Sequence, residues 1–499
     1  MMIAKARRDD AREERRRGRN RICGSIFFTL TMHYTCTKTL MLNSLIILKD
    51  SARRYPDKAV FIFGESSFTY TFIKKHYLLT ISLLLIFSTV NSQSLTKTEQ
   101  TILETARRQQ PETEAFLEKV VNINSGTLNT EGVRQVGKLM ADELDKLGFK
   151  TEWVTLPDSL NRAGHLVATR QGKKGKKLFL IGHLDTVFEK SLPMEPFTRV
   201  NDSTASGQGI NDMKGGDVLV IAALRALHTQ KLLDDTSIIL YFTGDEESSG
   251  GPESRRDFVE RAKTCDIALG FETAGGLQTV TTGRRGSSSW TLNVKARSGH
   301  SSRIFSDLGY GAIYEAVRIL NEFRRTLGQE QYLTFNPGLI VGGSEVHYDE
   351  KTAKATTIGK TNIVAGTTLV KGDLRFLTET QKESARTRMR EIVDKSLPLT
   401  KATIIFADGI PGMEPTAAND ELRLQLDKLS HDMGLGAVAA TDPGLRGAGD
   451  ISFVAKYLPC LDGLGASGKG AHSIEETMNT KQFPLLIQRA ALFMYRLTR

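Results

Sequence analysis

Cysteine is scarce in this 499-residue chain: Cys23, Cys36, Cys265 and Cys460 lie far apart, with no C-x-x-C spacing. Neither a cysteine metal site nor a dense disulfide framework is expected. Cys265 and Cys460 sit in apolar stretches and read as core residues rather than nucleophiles. The Gly-rich stretch Gly207-Gln208-Gly209-Ile210-Asn211-Asp212 lacks both G-x-x-x-x-G-K-[ST] and G-x-G-x-x-G, so it reads as a turn and not a phosphate cradle. A basic excess is missing from most of the chain. The net charge is +10, but residues 1–75 hold 16 Lys/Arg against 7 Asp/Glu, which leaves the remainder near neutral. A body without a basic bias has no field to attract nucleic acid.

Hydrophobic residues make up 40% of the chain and charged residues 25%, as in soluble globular proteins. The length calls for two or three domains. Three unlike segments precede the main body. The first, to about residue 40, is basic and aperiodic. The second, residues 48–70, resembles the N-terminal edge of adenylate-forming acyl ligases. No nucleotide-binding loop follows it, so it is read as a detached fragment. The third runs from Lys74-Lys75 through the apolar stretch Tyr77–Val90 to Asn91-Ser92, in the order of a signal peptide. Its apolar run falls short of the roughly 20 residues that span a bilayer. The expectation is an upstream extension over 1–73, a signal-like segment over 74–92, and an exported (periplasmic or extracellular) mature chain without a stable membrane span.

From Lys97 onward the pattern is α/β. Helices are expected over 97–122, Glu131–Leu147 and Val218–Leu227. Strands are expected at Lys177–Ile181, Ser237–Phe242 and Ile267–Phe271. This alternation implies a mostly parallel sheet flanked by helices. Residues 286–296 and 361–376 read as strands of another kind, with helices at Tyr310–Leu327 and Glu379–Ser396. The expected organisation is a catalytic domain in two parts, 97–285 and 401–499, interrupted by an α+β domain over 286–400.

Metal-ligating residue types follow the expected strands. Lys177–Ile181 is followed by Gly182-His183-Leu184-Asp185, Ser237–Phe242 by Thr243-Gly244-Asp245-Glu246-Glu247, and Ile267–Phe271 by Glu272. Open α/β sheets gather their sites at the carboxyl ends of strands, so these groups can converge. Asp212 ends the Gly-rich stretch, and His472 sits in Gly470-Ala471-His472-Ser473. Clustered carboxylates repel one another unless cations intervene. Two divalent metals would relieve that conflict and would activate a water.

With these motifs in this order, the body from Lys97 to Arg499 resembles the zinc peptidase family of glutamate carboxypeptidase, succinyl-diaminopimelate desuccinylase and aminoacylase, nearest the glutamate carboxypeptidase branch. The resemblance implies two Zn2+ per subunit, with Co2+ or Mn2+ as substitutes. By it, His183 and Glu272 bind one metal, Glu247 and His472 the other, and Asp212 both. Asp185 orients the His183 imidazole, and Glu246 is the general base. In the inserted lid, the resemblance makes His300, in Ser298-Gly299-His300-Ser301-Ser302, a catalytic residue that reaches the partner subunit's site in a homodimer and polarises the scissile carbonyl. Asn362 and Arg375 would hold the substrate's terminal carboxylate, a role that suits a guanidinium. Family members that prefer glutamate carry a lysine shortly after the ligand matching Glu272, but Gly275–Val280 has none. The implied activity is cleavage of a small peptide beside a free carboxylate. An N-acyl-amino-acid amidohydrolase on the same site is the enzyme alternative. A non-catalytic binding protein would be expected to have lost ligands, and none is lost.

Overall fold

The structure, a computed structural model, describes residues 60–63, 66–69, 95–350 and 352–499. The chain divides into two compact units, Met1–Asn91 and Ser92–Arg499. In the first, Val60–Phe63 and Ser66–Thr69 form an antiparallel hairpin within the ligase-like fragment. The basic segment, the signal-like segment and the cysteines Cys23 and Cys36 lie outside the described residues.

In the second unit, alternation along buried strands builds a six-stranded sheet. Its order is Cys460–Leu461, Ile267–Gly270, Lys174–His183, Thr236–Thr243, His165–Arg170, Lys150–Val154. The first four strands are parallel, and the last two join antiparallel at one edge. Successive side chains point to opposite faces of a strand. Leu178, Leu180, Ile238, Leu240 and Phe242 therefore enter one core, with the helices Lys97–Arg108, Lys214–Thr229 and Phe483–Leu497. Phe179, Ile181, Ile239 and Tyr241 enter a second core on the other face, with Phe258, Ala262 and the buried free thiols Cys265 and Cys460. Burial on both faces explains why these strands read as continuous apolar runs.

A separate antiparallel sheet, ordered Thr334–Gly343, Thr367–Phe376, Gly286–Ala296, Thr400–Asp408, builds the inserted domain expected as a lid. Trp290, Leu292 and Val294 alternate onto a core shared with Ala312, Ala316, Ile319 and Phe323 of the helix Gly311–Leu327 and with Ala385 and Met389 of Glu379–Val393. The strand Thr400–Asp408 carries this sheet past the expected boundary at 400. Its half-buried face turns to the lid helices while Ile405 on the other face is 63% exposed, so it lacked the apolar run that marks a buried strand.

Two expected elements differ. The helix over 97–122 is two helices, Lys97–Arg108 and Gln110–Val121, parted at Gln109. Pro111 sits in the first turn of the second helix, where its missing N–H costs nothing; inside a continuous helix it would break the ladder. The strand expected over 361–376 begins only at Thr367, so Asn362 lies in the loop before it.

Candidate metal centre

Strand register creates the site. His183 is level with Thr243, and Ile181 with Gly270. Three neighbouring parallel strands thus end together and release His183, Glu246, Glu247 and Glu272 at one edge. Asp212 arrives from the loop before the helix Lys214–Thr229, and His472 from a turn between the short strands Gly468–Lys469 and Thr477–Asn479.

The side chains converge in two groups that share one carboxylate. His183 Nε2 lies 3.4 Å from Asp212 Oδ1 and 3.3 Å from Glu272 Oε1. His472 Nε2 lies 3.3 Å from Asp212 Oδ2 and 3.2 Å from Glu247 Oε2. These separations suit a cation in each group. Zinc bonds of about 2.0–2.1 Å in tetrahedral geometry place neighbouring ligand atoms about 3.3 Å apart. His183 Nε2 and Glu247 Oε1 are buried and make no hydrogen bond within the protein, which leaves them free as ligands. Glu246 joins His183 and Glu247 in a third group.

Electrostatics point the same way. Hydrogen bonds donated to Asp212 and Glu247 push the His472 imidazole up to about 11. Burial would lower His183, but Asp185, Asp212 and Glu272 outweigh it and raise it well above its ordinary value. Burial pushes the Glu246 carboxyl well up, reinforced by Glu272, Asp450 and Glu247 against the pull of His183. A carboxylate cage that draws protons so strongly is one that draws cations. The centre opens on one side: the His183 side chain is 2% exposed and that of His472 58%.

Asp185 meets the His183 imidazole through its backbone. The His183 ring bonds through Nδ1 to the Asp185 backbone carbonyl at 3.0 Å, while the nearer carboxylate oxygen is at 3.5 Å. The carboxylate instead accepts the N–H groups of Glu246 (3.0 Å) and Glu247 (3.1 Å) and the Thr127 hydroxyl (2.6 Å). One residue thereby fixes the imidazole tautomer through its carbonyl and the acidic turn through its side chain.

Other contributors carry no local motif. Arg255, fully buried, bonds Asp245 at 2.5 Å and Asp450 at 2.7 Å, and Asp450 also accepts the Thr243 hydroxyl. His165 Nδ1 accepts the Gly244 N–H. Every residue of the turn 243–247 is therefore anchored. Arg446 donates to the Thr273 carbonyl at 2.8 Å, next to Glu272, from 173 positions away. A Gly-rich run before Asp450, Gly447-Ala448-Gly449, was the one available signal for this region.

The lid residues make their contacts among themselves and their neighbours in the chain. His300 bonds Ser302 through Nδ1 at 2.9 Å, and its backbone bridges to Ile363. The Asn362 carbonyl accepts the Ser301 N–H, so His300 and Asn362 lie on adjoining segments. Arg375 pairs with Asp373 at 2.9 Å. None of these contacts involves a metal-site residue.

Known proteins share this arrangement of sequence and fold. Carboxypeptidase G2 of Pseudomonas sp. (strain RS-16) is 27% identical over 382 residues, 76% of this chain and 87% of that protein. A succinyl-diaminopimelate desuccinylase of Nitrosomonas eutropha is 26% identical over 389 residues, 72% of this chain and 91% of that protein. The crystal structure of an aminopeptidase from Bacillus cereus ATCC 10987 superposes with a TM-score of 0.63 at 15% identity, over 78% of this chain and 99% of that one, which establishes the shared fold. The profile described as "Peptidase family M20/M25/M40" matches residues 179–496. A metal-binding residue cluster at the strand ends, this fold and that match together make the protein a hydrolase of the metallopeptidase and amidohydrolase kind: the chain belongs to peptidase family M20/M25/M40.

Proposed function

We propose that the protein is a two-zinc exopeptidase of carboxypeptidase type, cleaving a peptide bond beside a free carboxylate. The observation that carries this reading is Asp212, whose two carboxylate oxygens face two different His–Glu pairs. His183 and Glu272 would hold one ion, Glu247 and His472 the other, and Asp212 both. When bound, such ions polarise a carbonyl and make water nucleophilic near neutral pH. Glu246, beside both groups, takes a proton from the attacking water and returns it to the leaving nitrogen. Its N–H bond to Asp185 keeps it in place during both transfers. Zinc titration of metal-free protein is expected to give two ions per chain, and a chelator to abolish turnover. A single ion at saturation would sink the reading.

The substrate's carboxylate is assigned to Arg375 and Asn362. Arg375→Ala is expected to raise KM by about 10- to 100-fold, since a charged hydrogen-bonding partner is lost, with kcat less affected. An unchanged KM would remove Arg375 from the substrate site and turn attention to Arg446, whose buried Nε has no partner. A deacylase remains the second reading, because one relative is named a carboxypeptidase and another a desuccinylase. Rates on a panel of dipeptides against N-acyl amino acids separate the two.

A homodimer through the lid is part of the proposal. In support, Ile313, Tyr314 and Val317 form an exposed apolar face on the helix Gly311–Leu327, and Phe305 stacks near Tyr314 with 60% of its surface exposed. Patches of this kind mark interaction surfaces. A partner would also explain a lid histidine bonded only to its own loop. Export through the 74–92 segment is proposed on its sequence pattern, and mass spectrometry of the native N-terminus tests it.

A further inference from the structure

Asp212 and His472 meet although their loops are remote in sequence, and a small antiparallel sheet joins those loops. Gly468–Lys469 pairs with Thr477–Asn479, and Thr477–Asn479 pairs with Thr204–Ser206. Asp212 lies in the loop after Ser206, and His472 in the turn before Thr477. The Asp212 loop reverses through Gly209, whose φ of 71° is open to glycine at little cost. That reversal turns three backbone N–H groups inward, those of Gly209, Asn211 and Asp212. All three donate to one side chain, Glu476: Gly209 to Oε2 at 2.9 Å, Asn211 and Asp212 to Oε1 at 2.8 Å each. Glu476 is 2% exposed, and its own backbone carbonyl accepts the Gly207 N–H at 3.4 Å. A cluster of inward N–H groups forms a nest for an acceptor of negative charge, and the Glu476 carboxylate fills it.

The contact matters because of what Asp212 must do. Its short side chain can face both His–Glu pairs only from one backbone position. The Asp212 N–H is one of the three groups that Glu476 grips, and Glu476 belongs to the same turn as His472. We propose that Glu476 is a positioning residue that sets the bridging carboxylate of Asp212 and couples it to His472, so that the second metal position depends on it. The proposal rests on the two-metal reading above.

The test is Glu476→Gln, which keeps one acceptor oxygen but turns an NH2 group toward the nest. Zinc binding is measured by calorimetry on metal-free protein, the visible spectrum is taken on the cobalt-substituted protein, and kcat and KM are measured separately. The variant is expected to bind one of its two zinc ions about 10- to 100-fold more weakly, the usual scale for a residue that orients a ligand. The cobalt bands are expected to shift. kcat is expected to fall on a similar scale with KM changed by less than about threefold, and excess zinc to restore part of it. Two ions bound with unchanged affinity and spectrum, with only a lower Tm, would reduce Glu476 to a structural role and overturn the proposal alone. A wild-type chain that takes up fewer than two ions would overturn the two-metal reading and the coupling with it. If E476Q does not fold, Glu476→Asp, which keeps the charge but withdraws it from the nest, is read by the same measurements and outcomes.

Discussion

Glu246→Gln is expected to lower kcat by about 10²- to 10⁴-fold while leaving metal content at the wild-type level. That range is what a positioned general acid–base contributes. The split follows from geometry. Glu246 lies beside His183 and Glu247, whereas the short contacts that define the two ligand groups run through Asp212, Glu247, Glu272 and the two histidines. The amide side chain is nearly isosteric, and the Glu246 backbone N–H still bonds Asp185. Stopped turnover with intact metal binding therefore isolates the proton transfer. Metal analysis beside steady-state kinetics checks it. A variant that keeps more than a tenth of the wild-type kcat would take the general-base role away from Glu246.

The second large effect is on stability. Arg255→Met is expected to cost about 3–5 kcal/mol, because it leaves Asp245 and Asp450 as buried charges without their partner. In a unit of this size that is a fall in Tm of roughly 4–6 °C. Activity should fall too, since Asp245 and Asp450 hold the turn that carries Glu246 and Glu247. Burial alone would raise the Asp245 carboxyl, but Arg255 and His165 outweigh it and hold it below its ordinary value. A depressed carboxylate contributes its full stabilisation above the unfolded pKa, near 4, and loses it as pH falls through the folded value. The stability gap between wild type and variant should therefore narrow below about pH 4. Thermal unfolding across pH measures it, with the exposed Lys138–Asp142 pair as the control whose loss should not shift Tm. A gap constant with pH would mean that Arg255 acts through packing rather than charge.

How far the sequence revealed this depends on the kind of signal each residue carries. His183, Glu246, Glu247 and Glu272 were legible because each follows an apolar run that only a doubly buried strand explains. The lid strand Gly286–Ala296 was legible through the alternation of Trp290, Leu292 and Val294. Arg255, Asp450 and Glu476 were not, since each is one charged residue in a turn, indistinguishable from a solvated side chain until its distant partner is known. Asp185 was legible as a residue but its acting atom was not: its backbone carbonyl meets the imidazole, and a motif names a residue, not the atom that acts. Thr400–Asp408 escaped notice because only one of its faces is covered.

The small sheet that ties Thr204–Ser206 to Thr477–Asn479 also has a temporal side. The Asp212 N–H finds its acceptor 264 positions later in the chain, after the whole lid has been made. The edge strand Cys460–Leu461 likewise reaches the central sheet late. Contacts of such long range form slowly, and they expose unpaired strand edges until they close. A nascent chain at the ribosome would already carry His183, Asp212, Glu247 and Glu272 while His472 was still untranslated. The joining of the Asp212 loop to the His472 turn is thus a late event in the life of each molecule, and a chain stalled between the lid and His472 would be a sheet with an open edge.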